Sequence, residues 1–97
     1  MGFVQSKIST EANCYLCRTV HQIITTAPLE KHHCLHGTGM RKLADEDGLW
    51  VWLCAKHHRR LHDYNEHDRE LQVLAQKTYE KEHGREEYFK RYGKFYD

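Results

Sequence analysis

Leu49-Trp50-Val51-Trp52-Leu53-Cys54-Ala55-Lys56-His57-His58-Arg59-Arg60-Leu61-His62 changes its period at Cys54. Before it, residues alternate: Leu49, Val51 and Leu53 share one face and the two tryptophans the other, which predicts a short strand. After it, the pattern is helical, and residues 56–64 are predicted to form one short helix. Cys54 and His57 therefore straddle a strand-to-helix joint in C-x2-H spacing. His58 and His62 stand four apart on one helical face, where they can chelate a single ion. Consecutive helical residues point about 100° apart. Adjacent His57 and His58 can thus serve two different metals.

Upstream, Cys14-Tyr15-Leu16-Cys17 is a C-x2-C knuckle. With Cys54 and His57 it offers three thiolates and one imidazole, a common closed tetrahedral set for structural zinc. Such an ion would tie the N-terminal region to the strand-helix joint, a useful staple in a 97-residue chain. Residues 29–34 read as a second extended run, ending in His32 and His33. In a flat strand these two point to opposite faces. They could serve one site only if the strand bends, for which the Gly37-Thr38-Gly39 break just beyond offers a means. From there through Asp45, Glu46, Asp47 and Gly48 the sequence is turn-rich and predicts a loop. Residues 66–83 predict a helix with Leu71, Leu74, Ala75 and Tyr79 on one face and Gly84 as its C-cap. A last helix over residues 86–92 carries Tyr88, Phe89 and Tyr92 and stops at Gly93.

The chain fits one domain, with a motif core over about residues 12–65 and a helical extension over about 66–97. Hydrophobic residues are 39% and charged residues 30%. No apolar run approaches membrane-spanning length, and residues 1–10 contain no apolar signal-peptide core. These features predict a soluble, cytoplasmic protein. Four cysteines and nine histidines in that reducing setting point to metal rather than disulfides. The net charge is only +1, a small footprint for a nucleic-acid binder. Cations nevertheless flank the His/Cys cluster, and Arg41, Lys42, Arg59 and Arg60 are candidate phosphate contacts. Glu30 could orient an imidazole from behind or simply face solvent, and solvent is the expectation; Cys34 and His36 read as structural or incidental. Trp50 and Trp52 read as core residues packed under the later helices.

The series Cys14-x2-Cys17, Glu30-Lys31-His32-His33 and Leu53-Cys54-x2-His57-His58-x3-His62 resembles the HNH branch of the His-Me finger nucleases. More narrowly it is similar to compact, zinc-knuckle HNH endonucleases of phages and prophages. The resemblance implies an α+β fold with a ββα-metal, treble-clef-like core. It implies DNA phosphodiester hydrolysis, with RNA left open, yielding 5′-phosphate and 3′-hydroxyl ends. By position, His33 would be the general base, and His32, His58 and His62 the ligands of one catalytic divalent ion (Mg2+, Mn2+, Ni2+, Co2+ or Zn2+). Cys14, Cys17, Cys54 and His57 would hold the structural zinc. The setting would be a bacterial or phage-infected cell, with a packaging protein such as terminase as a partner. The motif's central Asn is absent; Asp45 or Asp47 stands in its neighbourhood. Two rival expectations are a non-catalytic zinc module binding nucleic acid or protein, and an accessory of a phage complex on a degenerate nuclease fold.

Overall fold

The computed structural model describes residues 5–26, 28–37 and 39–97. Its elements run α1 (Tyr15–His21), β1 (Leu29–His33), α2 (Met40–Asp47), β2 (Trp50–Cys54), α3 (Ala55–Tyr64), α4 (Asp68–His83) and α5 (Arg85–Tyr92). The result is a small α+β protein: a two-stranded antiparallel sheet with five helices among the described residues.

Alternation in β2 sets the layering. Leu49, Val51 and Leu53 are fully buried and join the core with Leu35, Leu61, Leu71 and Tyr88. The register pairs Glu30 with Leu53 and His32 with Val51, and pairs Lys31 with Trp52 and His33 with Trp50. Directly opposed residues share a face. His32 and Glu30 therefore lie on the core face, and His33 and Lys31 on the tryptophan face.

The tryptophans do not pack under the later helices, as the sequence suggested. They sit beside residues 5–12, because the helices occupy the face carrying Val51 and Leu53. This N-terminal segment seals the edge of β2 that β1 leaves open. The Ser6 hydroxyl donates to the Trp50 carbonyl and accepts from the amides of Ile8 and Ser9. Ser9 Oγ accepts from the Trp52 amide at 3.1 Å. Gly48 is required here: its φ is +72°, and a Cβ would stand 2.6 Å from the Gln5 carbonyl oxygen.

The predicted loop after Gly39 is instead the helix α2. Thr38, part of the expected Gly37-Thr38-Gly39 bend, lies outside the described residues. Met40, Leu43 and Ala44 have helical spacing and turn inward, with Ala44 fully buried. The acidic run that read as a turn is held from the far end of the chain. Arg91 donates to Asp47 at 2.5 Å and to Glu46 at 2.8 Å, and the Tyr92 hydroxyl donates to Asp47 at 2.5 Å. Such charge-assisted bonds offset the nucleation cost of a two-turn helix. Further along, α4 and α5 end at Gly84 and Gly93 as expected. No described helix is long and apolar enough to cross a membrane.

Candidate metal centres

Among the described residues, two groups of side chains could hold a metal ion: Cys14, Cys17, Cys54 and His57, and His32, His58 and His62. Both contain the residues that the sequence nominated.

The first is a cage. Cys14 caps α1, its Sγ accepting from the Cys17 amide. The knuckle is closed behind by the Cys14 amide on the Thr25 carbonyl and the Ile23 amide on the Cys17 carbonyl, each at 3.0 Å. Cys54 ends β2, and His57 lies in the first turn of α3. His57 Nδ1 stands 3.6 Å from Cys14 Sγ, 3.4 Å from Cys17 Sγ and 3.4 Å from Cys54 Sγ, and Cys17 Sγ lies 3.9 Å from Cys54 Sγ. A tetrahedral ion with Zn–S of about 2.3 Å and Zn–N of about 2.0 Å has edges of roughly 3.5–3.8 Å. The donor set and its edges fit zinc. Cys14, Cys17 and His57 are buried. Burial pushes the Cys14 thiol up to about 11, so only a bound cation would keep it as thiolate. At Cys54 burial acts in the same direction, but the His57 amide and the neighbouring thiols outweigh it and lower the thiol overall. His57 is pushed down by burial and then by His21, whose ring stacks on it at 5.4 Å. A neutral imidazole is the form a metal takes.

The second centre lies between β1 and α3. One ring nitrogen each of His32, His58 and His62 falls within 4.8 Å of the others. Ring centroids are 5.3 Å apart for His32–His58, 6.3 Å for His32–His62 and 4.8 Å for His58–His62. Burial steps outward: His32 is 4% exposed, His58 half-buried and His62 exposed. Burial first, then His58, His36, His62 and His33, push His32 down to about 3. Its Nε2 is buried and has no hydrogen-bond partner among the described residues. Buried polar nitrogens are seldom left this way, and a cation shared with two facing imidazoles would satisfy it. The three rings therefore fit a divalent ion that accepts nitrogen.

Glu30 is exposed, as expected, and also takes the other role open to it. It does not simply face solvent: His58 Nδ1 donates to Glu30 Oε1 at 2.5 Å, leaving His58 Nε2 as the ligand atom. A carboxylate behind a ligating imidazole fixes its tautomer and raises its basicity. A signal for this was present, since Glu30 stands two residues before His32 on the same strand face.

His33 is not part of this ring cluster. Its Nε2 bonds Asp45 Oδ1 on α2 at 2.9 Å, and Lys31 joins the same oxygen at 2.5 Å. Lys31, then His33, hold the Asp45 carboxyl below its ordinary value. His33 and His32 keep opposite strand faces, yet both line one cavity of about 500 Å3, with Arg41 at its edge. His36, read from sequence as incidental, also lines it. Its ring centroid is 6.1 Å from that of His32, and its Nε2 is 3.1 Å from Asp68 at the start of α4. Nothing local in the sequence signals a partner 32 residues away. Arg59 and Arg60 border the adjoining depression beside His58 and His62, and Arg60 is engaged by Glu66 at 3.3 Å. Lys42 is exposed on α2. Cys34 is fully buried, which pushes its thiol up and makes it an inert core group.

No protein-family model, curated protein or solved structure matches the chain.

Proposed function

We propose that this chain is a metal-dependent HNH-type endonuclease. In this reading β1, β2 and α3 form a ββα-metal core, and the Cys14/Cys17/Cys54/His57 cage carries structural zinc. The observation that carries the reading is the convergence of His32, His58 and His62, with one ring nitrogen of each within 4.8 Å of the others and a buried His32 Nε2 left without a partner among the described residues. A closed Cys/His cage alone would suit a non-catalytic zinc module. Three further imidazoles in a cavity beside it are what hydrolysis needs.

A divalent ion held by His32, His58 and His62 would neutralise the scissile phosphate and stabilise the departing oxygen. His33 is the general base. Asp45 takes the proton-bearing Nε2, which leaves Nδ1 to accept a proton from water. Asp45 thereby stands in for the motif's missing Asn by holding the base from α2, a helix where the family resemblance implies a loop. Arg41, Lys42, Arg59 and Arg60 contact backbone phosphates. DNA as substrate, and a phage packaging setting beside terminase, rest on the resemblance alone.

A plasmid-nicking assay with added manganese or nickel tests this. Wild type should nick, and His33→Ala should lose about 100-fold or more. Absence of cleavage with every divalent ion would return the chain to the non-catalytic zinc modules. Cleavage undiminished in His33→Ala would remove the base assignment.

A further inference from the structure

The tryptophan face of the sheet holds a second cavity, of about 400 Å3, walled by Trp50, Trp52, Lys31 and N-terminal residues that include Ser6, Ser9 and Thr10. Lys31 also walls the histidine cavity, so the two spaces share a lining residue. The indoles meet edge to face at 5.0 Å and 85°. The Lys31 ammonium lies 4.6 Å from the Trp50 ring centroid. Trp50 is buried, and its indole N–H has no hydrogen-bond partner among the described residues; Trp52 is half-buried. Ser6 and Ser9 are bonded to the backbone of β2, so this wall is fixed before any ligand arrives.

Indole surface, hydroxyl groups, the Glu11 carboxylate and the Lys31 ammonium, which is paired with Asp45, surround this slot, and such a lining suits a flat heteroaromatic ring with polar edges. The neighbouring cavity is the one read above as taking a phosphate. Two spaces that share a lining residue can take a nucleobase and a phosphate of one strand. We propose that this second cavity receives an unpaired nucleobase from the strand whose phosphate occupies the histidine cavity. The substrate class is then single-stranded or locally unpaired nucleic acid, an inference that rests on the nuclease reading.

A base inside a duplex has both faces stacked and its edge paired, and must leave the helix to enter such a slot. The charge balance agrees. With a net charge of +1 the chain has a small electrostatic hold on any nucleic acid, and stacking on aromatic side chains adds to single-strand binding a contribution that a paired duplex does not offer.

Trp50 and Trp52 are the only two tryptophans, so emission excited selectively from tryptophan, at wavelengths where the six tyrosines do not absorb, reads this slot. The full, zinc-loaded chain, without added second cation, is titrated with a labelled single-stranded oligonucleotide, its abasic counterpart and the duplex. Anisotropy follows binding and tryptophan emission follows stacking. The single strand should bind with quenching. The abasic strand and the duplex should bind about ten-fold more weakly, without quenching. Trp52→Leu should abolish the quench and that ten-fold preference. Equal affinity for the normal and abasic strands, or binding without change in emission, overturns the slot, and the wild-type comparison stands even if the variant misfolds. Adding manganese separates the two readings. Cleavage of normal and abasic strands alike would leave the nuclease and remove the slot; neither binding nor cleavage of any strand would remove both.

Discussion

His57 and His58 are adjacent in the chain yet belong to two different kinds of centre. His57 closes a cage whose four donors come from α1, the end of β2 and the first turn of α3, and it is buried. His58 faces a cavity, has a carboxylate behind it, and shares its site with one buried and one exposed ring. A closed four-ligand set suits a structural ion; three ligands beside open space suit one that must also bind substrate. The helical step of about 100° per residue lets one dipeptide serve both. If both centres hold ions as their donors suit, folding should depend on the cage, and the histidine site should tolerate change with the fold intact.

The strongest way to break that contrast is at the cage. Structural zinc contributes roughly 10–16 kcal/mol in small domains, against a total stability of about 5–15 kcal/mol. Cys17→Ser should therefore lose its zinc and most of its helical circular dichroism at 25 °C. A folded, zinc-free Cys17→Ser chain would show that the core stands without the staple.

A mid-sized effect separates the two centres by pH. The folded value of His32 is about 3, below the ordinary 6.5. Above about pH 6.5 the ring is neutral in both folded and unfolded chains and contributes no pH dependence. As pH falls below that, the unfolded chain takes up a proton that the folded one refuses, and stability drops, by on the order of 3 kcal/mol at about pH 4. Urea titrations of wild type and His32→Leu, without a second cation, isolate this from protonation of the cage thiols. The wild type should show the steeper acid loss, and parallel slopes would refute the assignment.

The smallest effect sharpens the role of the carboxylate behind His58. Glu30→Ala should weaken manganese or nickel binding 10–100-fold, as loss of such outer partners does. The tightly held zinc and the melting temperature should stay put, because Glu30 is exposed. Calorimetric titration and zinc analysis read the two centres separately. An equal loss of both metals would mean that the centres are not independent.

Much of the candidate site was legible because its signals are local. A C-x2-C knuckle, a C-x2-H joint and an i, i+4 histidine pair each fix ligand direction through the geometry of one turn. α2 was not legible. Two glycines and an acidic run read as a loop, and the helix there draws on Ala44 in the core and on Arg91, which lies 44 residues beyond Asp47. The same holds for Asp45, which reaches His33 only because that helix exists.

The sequence by itself determined which residues could ligate metal and where β2 turns into α3. Each follows from periodicity within a few residues, and no distant part of the chain can change it. The tertiary structure alone decided which sheet face the helices cover, that His32 and His33 keep opposite faces, that Asp45 stands behind His33, and that the tryptophans line a slot. Those outcomes depend on contacts between segments far apart in the chain, where the choice among partners is set by packing the whole core at once.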